Sequence, residues 1–155
     1  MSNHPTIQDY ILAEGISAKI IDLGVPMETA AIAAENLQIP VGSIFKSIVL
    51  IDDHGQAIVA VLEGDKKVNL KQLAKIAGTR NLRFAKPDVV LRVTGYPAGG
   101  TPPIGHKEKL SVFVDRGLMA YAVGYGGGGF PELLLEIAPE ELVRATGATV
   151  SDIAL

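Results

Sequence analysis

The sequence contains no cysteine and no tryptophan, and the first absence removes several classes of site. Without cysteine, the chain has no disulfide, no thiolate metal ligand and no cysteine nucleophile, which is usual for cytosolic proteins. No apolar run reaches the roughly 18 residues of a membrane-spanning helix. The first residues also lack the basic segment and apolar segment that together mark a signal peptide. We therefore expect a cytoplasmic protein with no membrane partner.

Common catalytic and cofactor motifs are missing as well. His4, His54 and His106 lie far apart in the chain and lack the spacing of metal ligands. The glycine run at 126–129 has neither the lysine and hydroxyl residue of a P-loop nor the spacing of a dinucleotide-binding fingerprint. No Gly-x-Ser-x-Gly nucleophile elbow occurs. We therefore predict that the protein uses no metal and no cofactor.

The composition is that of a folded globular domain. Of the 155 residues, 48% are hydrophobic and 20% are charged. The net charge of −3 argues against a protein that coats nucleic acid. However, seven of the 14 basic residues fall between 66 and 86, a window without Asp or Glu. Two interpretations of this basic window are open, a solvated surface or a local contact with phosphate groups.

Periodic apolar patterns and turn residues divide the chain into short helices and strands. Helices are predicted at 6–15, 28–37, 70–77, 87–93 and 139–146, and strands at 18–23, 44–51, 57–62, 111–114, 120–124, 132–137 and 148–152. The apolar runs on either side of Asp52-Asp53-His54-Gly55 predict a β-hairpin. We predict a single α/β (α+β) domain over residues 1–155, with one mixed, mostly antiparallel sheet or partial barrel flanked by helices.

Lys46 is the only charged residue between Pro40 and Ile51, and it lies in a predicted strand. A lysine in a strand either extends its ammonium into water at a sheet edge or is held in a pocket. The strand pattern alone favours the edge position.

Residues 94–106 mix glycine and proline in a way that suits neither a helix nor a strand. Their sequence is Thr94-Gly95-Tyr96-Pro97-Ala98-Gly99-Gly100-Thr101-Pro102-Pro103-Ile104-Gly105-His106. Proline fixes φ and lacks an N–H, whereas glycine permits positive φ and close approach of a ligand. The Gly99-Gly100 pair leaves two backbone N–H groups uncovered by side chains, as an oxyanion or phosphate site requires. A tight connection between two elements explains the same composition.

Taken together, these segments resemble the YbaK family, which groups free-standing aminoacyl-tRNA deacylases with the editing insertion of bacterial prolyl-tRNA synthetases. The resemblance covers nearly the whole chain from about residue 28 onward, and the glycine-tyrosine-proline-x-glycine-glycine motif is specific when the strand lysine precedes it. The segments that carry it are Ile44-Phe45-Lys46-Ser47, Gly64-Asp65-Lys66-Lys67-Val68-Asn69, the loop at 94–106, Phe113-Val114-Asp115, Glu136-Ile137-Ala138-Pro139-Glu140-Glu141-Leu142 and Thr146-Gly147-Ala148.

The resemblance implies a YbaK-like editing fold and hydrolysis of the ester between a wrong amino acid and the 3′ end of a tRNA. It implies that Lys46 holds the substrate or polarises its ester, and that Gly99 and Gly100 present N–H groups to the ester carbonyl. Such preorganised donors stabilise the negative charge that develops on the carbonyl oxygen. Water would be activated by the ribose hydroxyl of the substrate itself, with His106 as the alternative base.

The resemblance also implies a set of residues around the substrate. Thr29 matches a threonine on a helix near the pocket, and Ser47 matches a small hydroxyl residue beside the lysine. The glycines at 126–129 would form the opposite wall of the pocket and select the substrate. The remaining expected contacts are Gly95, Tyr96, Pro97, Thr101, Pro103, His106, Gly126 and Gly127.

The expected substrate is a small amino acid, such as Ala, Ser, Thr or Cys, carried by a non-cognate tRNA, with the proline tRNA as the expected carrier. Cysteine-specific members of the family have a serine and an aspartate before the final Glu-x-x-Pro, and residues 125–134 have neither in register. The expected partners are the acceptor end of a mischarged tRNA and an aminoacyl-tRNA synthetase. The alternative is a non-catalytic module that binds the acceptor end or a synthetase.

Overall fold

A computed structural model of the protein describes residues 6–26 and 30–155. The helices in this part of the chain are α1 (Ile7–Glu14), α2 (Ala30–Leu37), α3 (Leu70–Ala77), α4 (Pro87–Thr94) and α5 (Pro139–Thr146). The strands are β1 (Ala18–Asp22), β2 (Phe45–Asp52), β3 (Ala57–Glu63), β4 (Leu82–Phe84), β5 (Ser111–Asp115), β6 (Gly124–Gly127), β7 (Leu133–Ile137) and β8 (Thr149–Ser151). Short 3₁₀ helices occupy Val41–Ser43, Ala98–Gly100 and Arg116–Ala120. None of the helices described is long and apolar enough to cross a membrane.

The helices and strands form a mixed α/β fold, as predicted. The strands are divided between two sheets, whereas we expected a single sheet. The smaller sheet is antiparallel, in the order β1-β7-β6, and the larger has the order β4-β2-β3-β5-β8. In the larger sheet, β2 pairs antiparallel with β3 and β4, while β5 lies parallel to β3 and β8. An isolated parallel bridge between Ile44 and Tyr125 joins the sheets at the start of β2.

The central strand β3 is buried on both faces because its side chains alternate between two apolar clusters. Val59 and Val61 belong to a cluster with buried residues of α1, α4 and α5. Ala60 and Leu62 point the other way and belong to a cluster with α3. All four are 0% exposed. Burial of each valine or leucine side chain contributes about 1.5–3 kcal/mol relative to exposure, so β3 anchors the larger sheet.

Local capping residues set the ends of the helices. The Asn69 side chain accepts a hydrogen bond from the Gln72 N–H at 3.1 Å and begins α3. Helix α4 begins at Pro87 and ends at Thr94, and the capping residue that follows, Gly95, has a φ of 84° in the left-handed region. The glycine and proline loop at 94–106 therefore begins where α4 stops.

One predicted strand is wrong, and one observed strand was not predicted. Residues 120–124 do not form a strand, because the Asp115 side chain accepts the Gly117 N–H at 3.0 Å and starts a 3₁₀ helix that runs to Ala120. The strand begins instead at Gly124 and runs into the glycines. Strand β4 was not predicted because it has three residues and depends on pairing with β2 rather than on an apolar pattern.

Candidate functional site

A cleft of about 420 Å³ opens along the start of β2, beside the bridge that joins the two sheets. Its walls come from α2, β2, the loop at 94–106, β6 and the segment that leads into β7. Six of the residues predicted for the site line this cleft. They are Lys46, Ser47, Gly99, Thr101, Gly126 and Gly127.

Lys46 is half-buried on β2 and lines the cleft. Of the two positions considered for this lysine, the structure therefore shows the pocket position and not the sheet-edge position, which the strand pattern favoured. Burial lowers the pKa of the Lys46 ammonium below its ordinary value, the negative charge of Asp65 opposes this shift, and the charge of Lys67 adds to it. Both neighbours follow β3, whose end pairs with the start of β2. The cleft therefore contains a cation whose pKa depends on its burial and on the two neighbouring charges.

Ser47 lies next to Lys46 and contributes a hydroxyl group without a partner. Its Oγ is buried and has no hydrogen bond to any residue in the described ranges. An unpaired buried hydroxyl costs about 1–3 kcal/mol, so folded proteins seldom keep one without a use. Ser47 lines the cleft, but its Oγ has almost no exposed surface, so a substrate would reach this hydroxyl only after a local shift of the wall.

Gly99 and Gly100 differ in whether their N–H groups are available to a substrate. Gly99 is exposed on the cleft, a Cβ placed on it would meet no atom within 4 Å, and no described residue accepts its N–H. Gly100 is buried, and its N–H donates to the Pro97 carbonyl at 2.9 Å. The prediction that both N–H groups face the substrate is therefore wrong for Gly100, because the 3₁₀ turn uses that donor.

The glycines at 126–129 pack directly against the loop at 94–106. A Cβ on Gly127 would overlap the Thr101 carbonyl oxygen, and the Gly129 N–H donates to the Gly100 carbonyl at 2.8 Å. The Thr101 hydroxyl donates to the Pro97 carbonyl at 3.0 Å, which holds the turn. The two glycine segments thus form one continuous wall and do not face each other across the cleft.

Several residues predicted to contact the substrate lie outside the cleft and shape the loop instead. They are Gly95, Tyr96, Pro97, Pro103 and His106. Tyr96 is 5% exposed in the main apolar cluster, and burial raises the pKa of Tyr96 to about 12. The His106 Nε2 lies 2.7 Å from the Pro102 carbonyl oxygen, and since a carbonyl only accepts, Nε2 carries a proton and donates it. This arrangement supports a loop-shaping role for His106. Thr29 lies outside the described residues.

Sequence reasoning missed the apolar part of the wall. Ala33 on α2, Ile44 before β2, and Leu134 on β7 all face the cleft, together with Pro131. The alanine-rich composition of α2 was a signal, because small side chains let a helix approach closely. In the described part of the chain, no group of three His, Asp or Glu side chains is arranged to hold a metal ion.

All seven cations of the basic window are exposed. Lys66 and Lys67 precede α3, Lys71 and Lys75 lie on it, and the others lie on or near β4. Within residues 6–26 and 30–155, none of the seven forms an ion pair with a carboxylate. Their charge is therefore available to an external anion.

Comparison with known proteins gives a consistent result. The model of the aminoacyl-tRNA editing domain family matches residues 25–145. The chain is 30% identical over 125 residues to the Enterococcus faecalis protein named "Putative Cys-tRNA(Pro)/Cys-tRNA(Cys) deacylase EbsC", covering 81% of this chain and 76% of that protein. It is 35% identical over 88 residues to a proline--tRNA ligase of Trichlorobacter lovleyi, covering 57% of this chain and only 15% of the ligase.

A solved structure agrees with the sequence relatives. The crystal structure of "a putative trans-editing enzyme for prolyl tRNA synthetase" superposes with a TM-score of 0.90 at 32% identity, over 96% of this chain and 94% of that one. The family match spans the cleft and both glycine segments that form its wall. By its sequence and its fold, the chain belongs to the aminoacyl-tRNA editing domain family.

Proposed function

We propose that the protein is a trans-editing hydrolase that deacylates mischarged aminoacyl-tRNA. The observation that carries this proposal is that Lys46, Ser47 and Gly99 line one cleft, where neither the Ser47 hydroxyl nor the Gly99 N–H has a partner among the described residues. Each of these groups can donate a hydrogen bond to an ester or to the ribose that bears it.

The donors suit the chemistry of ester hydrolysis. Water attacks the carbonyl carbon, negative charge develops on the carbonyl oxygen, and the bond to the ribose oxygen then breaks with proton transfer to that oxygen. The Gly99 N–H and the Lys46 ammonium would stabilise the negative charge, and a single such donor contributes about 10²–10³-fold in rate. Among the described residues, no carboxylate or imidazole lines the cleft, which supports activation of water by the ribose hydroxyl of the substrate.

The walls of the cleft suit a small acyl group. Gly99, Gly126 and Gly127 contribute backbone alone, and Ala33 and Leu134 supply a modest apolar surface. We propose alanine, serine, threonine or cysteine as the released amino acid, with the proline tRNA as carrier, because the names of two relatives refer to Cys-tRNA(Pro) and to prolyl-tRNA synthetase. One methylene group changes discrimination by only about 1–3 kcal/mol, so several of these amino acids can be accepted.

The basic window provides a place for the tRNA itself. Its seven exposed cations lie on the loop before α3, on α3 and around β4, and β4 pairs with the strand that carries Lys46. We propose that they contact phosphates of the acceptor stem, in the presence or absence of a synthetase partner. Phosphate contacts release counterions, so the affinity for tRNA should fall steeply as the salt concentration rises.

The deciding experiment is a panel of proline tRNAs charged with Ala, Ser, Thr, Cys or Pro. Wild-type protein should release at least one of the non-cognate amino acids, and Lys46→Ala should slow that release by about 10²–10³-fold. Lys109→Ala removes an exposed charge outside the cleft and serves as the matched control. If the wild type binds these tRNAs but releases nothing beyond the Lys46→Ala rate, the protein is a non-catalytic binding module.

A further inference from the structure

A second cavity of about 170 Å³ adjoins the cleft. The two share three wall residues, Ser47, Ala98 and Thr101, so they are two parts of one depression. The remaining wall of the second cavity is apolar and includes Val49, Phe84 and Val90. A ligand whose ester lies in the cleft therefore has an apolar space available directly beside it.

One edge of this cavity carries polar backbone groups of β2. The Ile44 carbonyl and the Asp52 N–H lie at the two ends of β2, and both form hydrogen bonds on the side of β3. The main-chain N–H and C=O groups of the even-numbered residues of β2 therefore point toward β3. The main-chain groups of the odd-numbered residues point to the opposite edge of β2, where the Val49 carbonyl accepts a hydrogen bond from the Ala85 N–H at 3.0 Å. Strand β4 pairs with β2 only from residue 50 to 52. The main-chain N–H and C=O of Ser47 therefore point beyond the end of β4, toward the second cavity.

Phe84 lies on the wall of the same cavity and is 57% exposed. Arg83 precedes it and Lys86 follows shortly after, and both cations are exposed. An aromatic ring left in water between cations is typical of proteins that stack an unpaired base and hold its phosphates. The exposed ring, the apolar cavity and the open strand edge thus share one location.

We propose that this second cavity binds the terminal adenine of the tRNA, with Phe84 stacked on the base. The inference rests on the proposed function and extends it, because it assigns a place to the nucleotide that bears the ester. The flat faces of a purine suit the apolar walls. The Watson–Crick edge of adenine has an acceptor at N1 and a donor at N6, which match the N–H and C=O of Ser47. Ser47 would then connect the two parts of the site.

Kinetics with a mischarged tRNA provide the first test. Phe84→Ala should raise KM by about 10-fold, the loss expected for one stacked base, with kcat within about twofold of wild type. Phe84→Trp keeps an aromatic face and should restore KM. Leu12→Ala removes an exposed apolar side chain on α1, which is 71% exposed, and should change neither constant. An unchanged KM in Phe84→Ala would overturn the proposal.

Binding provides a second test that does not depend on hydrolysis. In two-dimensional NMR titrations, adenosine 5′-monophosphate should shift the amide signals of Ser47 and Ala85, whereas ribose 5-phosphate should not. Inosine 5′-monophosphate exchanges the donor and acceptor of the base edge and should bind at least several-fold more weakly. Equal shifts from all three compounds would show recognition of phosphate alone and would refute the adenine site. Shifts specific to adenine without any deacylation would overturn the proposed function and keep this site.

Discussion

Gly127 and Thr101 touch backbone to backbone, since a Cβ on Gly127 would overlap the Thr101 carbonyl oxygen. The nearby hydrogen bond from the Gly129 N–H to the Gly100 carbonyl, at 2.8 Å, extends the same contact. Only a residue without a side chain permits this approach. Glycine at 127 therefore fixes the position of β6 against the loop at 94–106, and with it the shape of the cleft wall.

Gly127→Ala should destabilise the protein and reduce deacylation. The added methyl group meets a backbone carbonyl that cannot rotate away, and overpacking of this kind typically lowers the free energy of unfolding by about 1–3 kcal/mol. Urea denaturation measures this change. Gly99→Ala is the matched control, because its Cβ would meet no atom within 4 Å and should leave the free energy of unfolding within about 0.5 kcal/mol of wild type. Equal stability of Gly127→Ala and wild type would refute the close approach.

Gly99→Ala should nevertheless impair turnover. The methyl group enters the cleft where we place the ester carbonyl, so we expect kcat/KM for the mischarged tRNA to fall by at least about 10-fold. Gly100 is unsuitable for this test, because a Cβ there would lie 2.8 Å from the Phe130 backbone nitrogen and disturb the fold. Full activity of Gly99→Ala would place the ester elsewhere in the cleft.

The charge state of Lys46 should respond in opposite directions to its two neighbours. Asp65 raises the pKa of Lys46 and Lys67 lowers it, while burial gives the main downward shift. Asp65→Asn should therefore lower the pKa of Lys46 further below its ordinary value of about 10.4, and Lys67→Met should raise it. NMR titration of the Lys46 side chain measures both values. Shifts of the same sign in the two variants would contradict this assignment.

Ser47→Ala and Ser43→Ala should separate function from stability. The Ser47 Oγ is buried and has no partner in the described chain, so Ser47→Ala should raise the free energy of unfolding by about 1–3 kcal/mol while lowering kcat/KM by about 10-fold. The Ser43 hydroxyl donates to the Pro40 carbonyl at 2.6 Å, so Ser43→Ala should lose about 1 kcal/mol of stability and keep its activity. Thermal unfolding and deacylation assays on both variants would show the contrast, and a large loss of stability in Ser47→Ala would contradict it.

Helices and their ends could be predicted from the sequence because their signals are local. Asn69 and Gly78 cap the two ends of α3 through hydrogen bonds and dihedral angles within a few residues. Strand β4 depends on a partner far away in the sequence, and its exposed Phe84 interrupts any apolar pattern. The glycine strand β6 was misplaced because its Cβ-free face is filled by the Phe45 ring, a contact that no local pattern records.

The same distinction applies to the site. Lys46 and Gly99 were found through a resemblance that covers the order of motifs, and both line the cleft. The different roles of Gly99 and Gly100 depend on one hydrogen bond, from the Gly100 N–H to the Pro97 carbonyl, which composition does not reveal. Tyr96 belongs to the same motif but lies in the apolar cluster, so a family motif can include residues that support the loop without contacting substrate.

The free energy of unfolding depends on the charge of Glu141, whose carboxylate accepts hydrogen bonds from Arg144 and Ser17, and therefore on pH in the acid range. Hydrogen bonds from Arg144, followed by the Ser17 N–H at 2.7 Å, lower the pKa of Glu141 to about 2. An unfolded glutamate has a pKa of about 4.3, so the stabilisation is fully present above that pH and is lost as the pH falls toward about 2.

Glu141→Gln should therefore be less stable than wild type at neutral pH, and the difference should shrink between about pH 4.3 and 2. Glu140→Gln removes the same charge from the exposed neighbour and controls for net charge. Urea denaturation at a series of pH values tests this, and a constant difference between Glu141→Gln and wild type would show that the carboxylate does not stabilise the fold.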